Sequence, residues 1–342
     1  MEIILPEDVY KVINKFLSSG FKAYLVGGGV RDILMKREAK DWDLTTDAKP
    51  GEILKLFPEG FYNNKFGTVG VPMKTTGDYE SRKSLASNRF PIIEITTMRS
   101  ESDYKDSRHP EEVSWTDDIN KDLARRDFTI NAIALEISKN SYPKIIDPFK
   151  GQPDLNLKLI RAVGDPDVRF AEDALRLMRA LRLAAQLNFK IEASTFESLK
   201  KNAFLIKNIS WERIRDELFK ILESDNAYDG LIKLKDTGLL EIILPEVTEC
   251  FGIVQEGPRH DRIYDIGEHL FLSLKFCPSK NPLVRFAALI HDIGKVQTFK
   301  KDENGNVTFY GHETVGANLS KKVSGRLRLS KAESETRQFV VL

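Results

Sequence analysis

Two aspartates separated by one residue stand out near the start of the chain. Asp41 and Asp43 follow the glycine-rich stretch LVGGGVRD at residues 25–32. On a β-strand, residues two apart project to the same face, so the two carboxylates would lie side by side. Two like charges at that distance repel unless a cation lies between them, and Mg²⁺ prefers carboxylate oxygens together with substrate phosphates. The spacing predicts a magnesium site for a phosphorylated substrate; the alternative is a turn that precedes a strand.

A third acid completes this prediction. Glu94 interrupts the apolar strand pattern IIEITT at residues 92–97, so we expect it to join the two aspartates in a two-metal site. Glycines that follow a strand let the backbone approach a phosphate closely. The stretch lacks both the GxGxxG spacing of dinucleotide sites and the GK[ST] of P-loops, which excludes the two commonest nucleotide motifs.

Composition indicates a multidomain globular protein. The chain has 342 residues, 52 basic against 51 acidic, and no run of eighteen apolar residues. Its first residues carry acids where a signal peptide carries bases, so we expect a cytoplasmic protein without a membrane partner. Cys250 and Cys277 lie far apart, which indicates neither a disulfide framework nor a zinc knuckle.

The elements that must position these residues change character along the chain. Up to about residue 165 helical and strand patterns mix, whereas helical periodicity dominates afterwards. Two polar stretches, 75–89 and 100–118, are predicted as irregular loops. The fold class is therefore multidomain, a mixed α/β part followed by an all-α part.

Three motifs in order resemble the class II tRNA nucleotidyltransferase and bacterial poly(A) polymerase family. They are LVGGGVRDILMKREAKDWDLTT, then DLARRDFTINAIAL at 122–135, then the long segment at 145–187 that contains RFAEDALRLMRALR. The resemblance implies a nucleotidyltransferase (polymerase-beta-like) mixed sheet with helices, followed by an all-helical neck, a body and a tail. It also implies that Asp41, Asp43 and Glu94 hold the metals, and that Gly28, Arg31, Arg126 and Asp127 contact the triphosphate and sugar.

The segment at 169–182 is predicted as one helix with a charged face. Its positions Glu172, Asp173, Arg176, Arg179 and Arg182 match the family's base-selecting template. Aspartate accepts hydrogen bonds and arginine donates them, so one pair can accept cytosine and adenine while mismatching uracil and guanine. Glu172 is expected to orient an arginine, and Arg179 and Arg182 to bind phosphate or base. The alternative is a solvated face with an Asp173–Arg176 ion pair.

A helical metal site is predicted in the last part of the chain. His269, His291 with Asp292, and His312 resemble the ligands of an HD domain, a metal-dependent phosphohydrolase fold. The chain ends at Leu342, near where a further ligand is expected, so we expect a truncated HD domain with an additional divalent metal or a purely structural role.

The predicted organisation is a catalytic head at 1–150, a neck at 151–224, a body at 225–265 and the HD-type domain at 266–342. The predicted function is CCA addition to tRNA 3′ ends from CTP and ATP, with Mg²⁺ and release of pyrophosphate. Alternatives are A addition alone, poly(A) synthesis, an HD phosphohydrolase with a nucleotide-binding head, and a passive tRNA-binding protein. The tRNA acceptor end and elbow would meet basic residues, which are Lys200, Lys201, Lys207, Arg213, Arg215 and the cluster at 321–331.

Overall fold

The computed structural model describes residues 5–39, 41–62, 67–73, 92–104, 110–138, 141–255, 264–303 and 307–333. The predicted loop at 75–89 lies outside these residues. The chain divides into two compact units, one that ends at Asp165 and one that begins at Pro166. Within the described ranges, no helix is long and apolar enough to cross a membrane.

The first unit is a mixed α/β fold, as predicted. Its helices are α1 (Glu7–Ser18), α2 (Gly27–Leu34), α3 (Pro50–Leu56), α4 (Ile119–Ala124) and α5 (Gly151–Leu157). Its strands are β1 (Ala23–Val26), β2 (Trp42–Thr46), β3 (Phe61–Tyr62), β4 (Thr68–Pro72), β5 (Ile92–Thr97), β6 (Arg99–Tyr104), β7 (Pro110–Trp115), β8 (Ala134–Ser138), β9 (Ser141–Ile146) and β10 (Leu159–Ile160).

One sheet positions the predicted acids. In the described residues its strand order is β3-β4-β5-β2-β1-β8-β9. The pairing of β2 with β5 is parallel and the other pairings are antiparallel. The central strands are apolar, and Leu25, Leu44 and Ile95 are at most 1% exposed. The acids therefore stand on strands that a buried core holds in register.

The prediction of an irregular loop at 100–118 is wrong for much of that stretch. Strands β6 and β7 form an antiparallel hairpin in which Arg99 pairs with Trp115 and Tyr104 with Pro110. A strand is recognised in sequence by apolar residues on alternate positions, and SESDY and PEEVSW lack that pattern. The backbone ladder forms without it. Residues 105–109 of this stretch lie outside the described residues.

The segment after residue 150 is bonded to the head. The amide of Thr129 donates to the carbonyl oxygen of Arg161 at 2.9 Å, and the Thr129 hydroxyl donates to Asp154 at 2.7 Å. A Cβ on Gly151 would lie 2.2 Å from the carbonyl oxygen of Thr129, so α5 approaches this motif as closely as only glycine allows. The first unit accordingly extends to Asp165, beyond the position 150 expected from the sequence.

The second unit is almost entirely helical, as predicted. Its helices are α6 (Pro166–Glu172), α7 (Leu175–Leu187), α8 (Ala193–Asn202), α9 (Trp211–Glu223), α10 (Ala227–Asp236), α11 (Leu239–Ile243), α12 (Pro245–Thr248), α13 (Ile266–Phe276), α14 (Pro282–Ile290), α15 (Lys295–Thr298) and α16 (His312–Arg326). A 3₁₀ helix spans Ala203–Asn208, and the short strands are β11 (Lys190–Ile191), β12 (Lys300–Lys301) and β13 (Val307–Thr308). A Cβ on Gly230 would lie 2.5 Å from Ile221, so α10 and α9 pack in close contact.

Candidate functional sites

The glycines after β1 make room for the aspartates. Gly27 has a φ of +75°, and a Cβ there would lie 2.8 Å from Oδ2 of Asp43 and 3.4 Å from Nη1 of Arg126. A Cβ on Gly29 would lie 2.7 Å from the carbonyl oxygen of Asp41. Helix α2 begins at Gly27 without an intervening loop. The glycines therefore allow close contact between the helix N-terminus, the aspartates and Arg126. A side chain at position 27 or 29 would prevent this contact.

Two of the three predicted metal ligands are register partners. Asp43 pairs with Glu94 across the parallel strands β2 and β5, so their side chains leave the same face of the sheet. Asp41 precedes β2, whose first residue is Trp42, instead of standing on it as predicted. Glu94 and Asp41 are exposed and Asp43 is half-buried. Oxygen ligands at this open face suit a hard cation such as Mg²⁺.

A chain of hydrogen bonds connects Arg31 to Asp127. Nη1 of Arg31 donates to the amide oxygen of Asn131 at 2.9 Å, and Asn131 donates to Asp127 at 3.2 Å. Arg31 also pairs with its neighbour Asp32 at 2.9 Å. Asn131 was not identified from the sequence, although it stands in the motif DLARRDFTIN; its amide is what fixes two of the predicted triphosphate and sugar contacts.

Arg126 reaches the same region through Nη1, which would lie 3.4 Å from a Cβ on Gly27. Its Nη2 lies 3.3 Å from Asp122, while its Nε is buried and has no hydrogen-bond partner in the described part of the chain. Asp122 is fully buried, and burial by itself raises its pKa. The charges of Arg125 and Arg126 lower the pKa by more than burial raises it, so the pKa of Asp122 lies below its ordinary value. Sequence reasoning missed Asp122. It holds Arg126 in place beside Gly27 and Asp43.

The predicted single helix at 169–182 is broken. Helix α6 ends at Glu172 and α7 begins at Leu175. Oδ1 of Asp173, which directly precedes the N-cap residue Ala174, accepts from the amide of Leu175 at 3.1 Å, and its Oδ2 lies 3.4 Å from Nη2 of Arg213. Aspartate competes for backbone amides and so starts a helix more readily than it continues one. Asp173 thus pairs with Arg213 in the structure, whereas the alternative considered from the sequence paired it with Arg176.

Arg176 and Arg182 are bound to glutamates inside the second unit. Arg176 is 8% exposed, and its Nη1 donates to Glu172 at 2.7 Å. Arg182 donates to Glu217 at 3.0 Å. Arg179 is half-buried on α7. The charged positions of α7 therefore do not form the solvated face that the alternative requires, and Glu172 does contact the arginine of the predicted template.

The lysines and arginines that were predicted to face the RNA differ in their hydrogen bonds and ion pairs. Lys200 pairs with Glu197 at 2.9 Å, and Arg215 donates to the carbonyl oxygen of Arg328 at 2.8 Å. In the cluster at 321–331, Arg326 forms a two-pronged pair with Glu246. Such bidentate pairs fix an arginine within the fold. Lys207 is exposed and forms no ion pair with any residue that the structure describes.

The predicted HD residues meet in one cluster. Nε2 of His269 lies 3.1 Å from Nε2 of His291, and these atoms lie 3.3 and 3.2 Å from Oδ2 of Asp292. His312 is farther away, with Nε2 3.6 Å from Oδ1 of Asp292. Among the residues described, His269, His291 and Asp292 are the one group of three ligands whose donor atoms all lie within 4.8 Å. The acids Asp41, Asp43 and Glu94 are less compact.

Backbone carbonyls orient this cluster. Nδ1 of His291 contacts the carbonyl oxygen of Ala288 at 2.9 Å, which leaves Nε2 to face Asp292, as metal-binding histidines are commonly held. Nζ of Lys295, which the sequence analysis did not identify, lies 2.6 Å from Oδ2 of Asp292. Burial by itself raises the pKa of Asp292. Its bonds to His269, His291 and Lys295 lower the pKa by more, so it lies well below the usual range.

Three regions of the chain match known protein families. The poly A polymerase head domain matches residues 23–161, a probable RNA and SrmB-binding site of polymerase A matches residues 188–251, and an HD domain matches residues 262–340. The first match includes every predicted residue of the head site, and the third includes the His–Asp cluster.

Relatives and solved structures point the same way. The CCA-adding enzyme of Ligilactobacillus salivarius is 41% identical over 239 residues, 69% of this chain and 54% of that protein. The enzyme of the same name from Lactobacillus helveticus is 43% identical over 241 residues, 69% of this chain and 56% of that protein. The chain thus spans about half the length of these relatives.

The crystal structure of the Bacillus stearothermophilus CCA-adding enzyme in complex with CTP superposes with a TM-score of 0.72 at 26% identity, and covers 99% of this chain and 70% of that one. Motifs, fold, domain matches and relatives agree. The chain belongs to the family of tRNA nucleotidyltransferases and poly(A) polymerases, and an HD domain follows the two regions that match the polymerase head and its probable RNA and SrmB-binding site.

Proposed function

We propose that this protein adds CCA to the 3′ ends of tRNA, with CTP and ATP as substrates and pyrophosphate as the second product. The observation that carries the proposal is the arrangement around Gly27, where Oδ2 of Asp43 and Nη1 of Arg126 lie close to the start of α2 and Glu94 is the register partner of Asp43. Carboxylates for a cation beside donors for phosphate are what nucleotidyl transfer requires. A tRNA substrate places the enzyme in the cytoplasm.

The acids of the head fit magnesium. Asp41, Asp43 and Glu94 supply oxygen ligands only, and the absence of a side chain at Gly27 leaves space beside Oδ2 of Asp43. Bound there, two Mg²⁺ ions would lower the pKa of the RNA 3′-hydroxyl and neutralise charge on the α-phosphoryl group. We assign these three residues as the metal ligands.

Arginines and backbone bind the nucleotide. The guanidinium of Arg126, whose Nη1 lies beside Gly27, is a donor from which a phosphate oxygen can accept, and Arg31 presents a guanidinium held by Asn131. Gly28 lies next to the guanidinium of Arg31, and its lack of a Cβ lets a phosphate approach the backbone there. Asp127 is hydrogen-bonded to Asn131 and to the amide of Phe128, and we assign it to the sugar side of the nucleotide.

The second unit selects the base. Asp173 accepts and Arg176 donates, which matches the amino group and ring nitrogen of cytosine and adenine and mismatches uracil and guanine. Glu172 holds Arg176, and Arg213 contacts Asp173, so both template groups have a supporting partner. We assign Arg179 and Arg182 to phosphate or base contacts of the same nucleotide.

The relatives favour CCA addition over A addition or poly(A) synthesis, because those at 41–43% identity carry the name CCA-adding enzyme. The hairpin of β6 and β7 is our proposed mobile element for the change from C to A. We expect replacement of residues 101–112 by a short Gly/Ser linker to spare C addition and to slow the terminal A strongly. Single-turnover rates measure both steps: an unchanged rate of A addition would refute the role, and equal slowing of both steps would indicate a general folding defect.

The HD cluster supports a second metal-dependent site. His269, His291 and Asp292 form a compact ligand group with His312 nearby, and imidazole and carboxylate ligands suit divalent transition metals. We propose that this cluster binds one divalent ion, which would supply a Lewis acid for phosphate ester hydrolysis.

The test of the main proposal is incubation of the protein with tRNA transcripts that end at the discriminator base, at C or at CC, with each nucleoside triphosphate supplied separately. We expect CTP to extend the first two transcripts and ATP to extend only the third. Extension of the third transcript alone would indicate an A-adding enzyme, runs of A would indicate a poly(A) polymerase, and binding without extension would indicate a passive tRNA-binding protein.

A further inference from the structure

An aromatic side chain stands in solvent on the short 3₁₀ helix of the second unit. Phe204 is 60% exposed, whereas Ala203 and Ile206 of the same helix are at most 7% exposed and face the core. Residues three apart in a 3₁₀ helix lie above one another, so Lys207 stands on the same side as Phe204. The helix therefore presents an aromatic ring and an ammonium group together.

This ring lines a groove of about 560 Å³. That volume is within the usual size range of ligand sites, about 300–1,000 Å³. Lys200 and Lys207 line the groove together with Phe204, and Gly238 and Glu241 also belong to its lining. Gly238 has a φ of +76°, and a Cβ there would meet nothing within 4 Å, so no side chain closes the groove at that point.

Charge favours an anionic occupant. Lys207 is exposed and forms no ion pair within the described part of the chain. The partner of Lys200 is Glu197, whose side chain is 70% exposed, and such solvent-exposed pairs contribute little. Glu241 is an acceptor that can bind the exocyclic amino group of a base. An exposed aromatic ring between cationic side chains is how proteins hold unpaired nucleotides, by stacking the base and contacting its phosphates.

We propose that Phe204, Lys200 and Lys207 form a stacking platform for one unpaired nucleobase of the substrate RNA and its flanking phosphates. The inference rests on the proposed tRNA substrate and deepens it, because it names the surface that receives the RNA. A peptide partner is disfavoured, since the groove offers one exposed ring and two ammonium groups where a peptide helix or strand needs a continuous apolar face.

The experiment measures the dissociation constant of the full chain for a tRNA transcript lacking its 3′ CCA, across a series of salt concentrations. We expect Phe204→Ala to weaken binding by about 5- to 150-fold, the effect of one stacked base, and Phe204→Trp to restore it. Lys207→Ala should lower the slope of log K against log salt by about 0.7–0.9. Phe276→Ala is the matched control, because Phe276 is 74% exposed and has Lys275 5.9 Å from its ring centroid.

Two results would overturn the proposal. One is an affinity of Phe204→Ala equal to that of Phe276→Ala, which would leave a protein segment as the occupant of the groove. The other is failure of Phe204→Trp to restore the affinity, which would show that packing and not stacking is lost. Incorporation of CTP by the unmodified protein is measured on the same transcript. If binding depends on Phe204 but CTP is not incorporated, only the proposed function is refuted. If CTP is incorporated but binding does not depend on Phe204, only the platform is refuted.

Discussion

The head site and the HD cluster solve the problem of gathering charged ligands in opposite ways. In the head, all three predicted ligands are acids, and neighbouring arginines are held by other carboxylates such as Asp122. In the HD cluster, two histidines and Lys295 surround a single carboxylate, Asp292, within 3.3 Å. Opposite charges draw the second group together, whereas like charges keep the first group open.

The difference teaches which site depends on its metal. Acids alone form a compact ligand set only when a cation offsets their repulsion, so under the proposed function the head would depend on its divalent ion for assembly as well as for catalysis. The HD cluster is compact because Lys295 supplies a positive charge from within the chain. A divalent ion there must compete with the ammonium group for Oδ2 of Asp292.

The largest expected effect breaks the head site. Asp43→Ala should lower CTP incorporation by at least about a thousandfold, because it removes a metal ligand and with it the charge stabilisation of the transition state. Single-turnover incorporation measures the effect, and Asp292→Ala in the HD cluster is the comparison variant, expected to stay near the original rate. An equal loss in both variants would show that the two sites are not independent.

The next effect concerns the buried acid that holds Arg126. Asp122→Ala should lower the free energy of unfolding by about 3–5 kcal/mol, because it leaves two arginines beside an empty buried position. The control is Asp117→Ala, whose side chain is 82% exposed. Urea unfolding at pH 7 measures both variants, and equal values for them would contradict the assigned role of Asp122.

The same acid gives a pH dependence. The pKa of Asp122 is lower in the folded state than in the unfolded chain, so its stabilisation is complete above the unfolded value of about 3.9 and disappears as pH falls through the folded value. The difference in unfolding free energy between the original protein and Asp122→Ala should therefore be constant near neutral pH and shrink below about pH 4.

A smaller effect sharpens the contrast at the HD cluster. Ni²⁺, which prefers imidazole ligands, at a hundredfold excess over its dissociation constant should stabilise the protein by about 2.7 kcal/mol, and His291→Ala should abolish that gain while Asp43→Ala preserves it. Removal of the competing charge by Lys295→Met should tighten Ni²⁺ binding in calorimetry. Weaker binding by Lys295→Met would show that the lysine orients Asp292 instead of competing for it.

The smallest effect concerns base selection. Asp173→Ala should reduce discrimination against UTP and GTP by about 1–3 kcal/mol, because the amino group of the correct base loses its acceptor. Arg213→Met should reduce it less, since Arg213 only contacts Asp173. Ratios of kcat/KM for the four nucleotides measure both variants, and unchanged ratios for Asp173→Ala would refute the template assignment.

The sequence predicts the parts of this molecule that depend on local patterns. The alternation of apolar residues gave the strands that carry Asp43 and Glu94, and their register in the structure places them side by side. The order of an α/β part and a helical part was also predicted. These features follow from side-chain periodicity, which every stretch of sequence displays by itself.

Other features escaped prediction because side-chain periodicity does not show them. The charged periodicity at 169–182 continues across Asp173, and only the hydrogen bond from the amide of Leu175 to that aspartate shows the break. Asn131 accepts from Arg31, which lies 100 positions away in the chain. The β6–β7 hairpin has polar residues on both strands and so resembles a loop. A pattern within one segment cannot reveal a partner in another.

The bonds between α5 and the DLARRDFTIN motif set where this head can be exchanged for that of a relative. A chimera joined at residue 150 would pair Thr129 from one parent with Asp154 and Arg161 from the other. Any side chain in place of Gly151 would collide with the carbonyl oxygen of Thr129. A junction after Asp165 keeps Thr129, its two hydrogen-bond partners and Gly151 from the same parent. Recombination between family members should therefore yield folded heads at the second junction and few at the first.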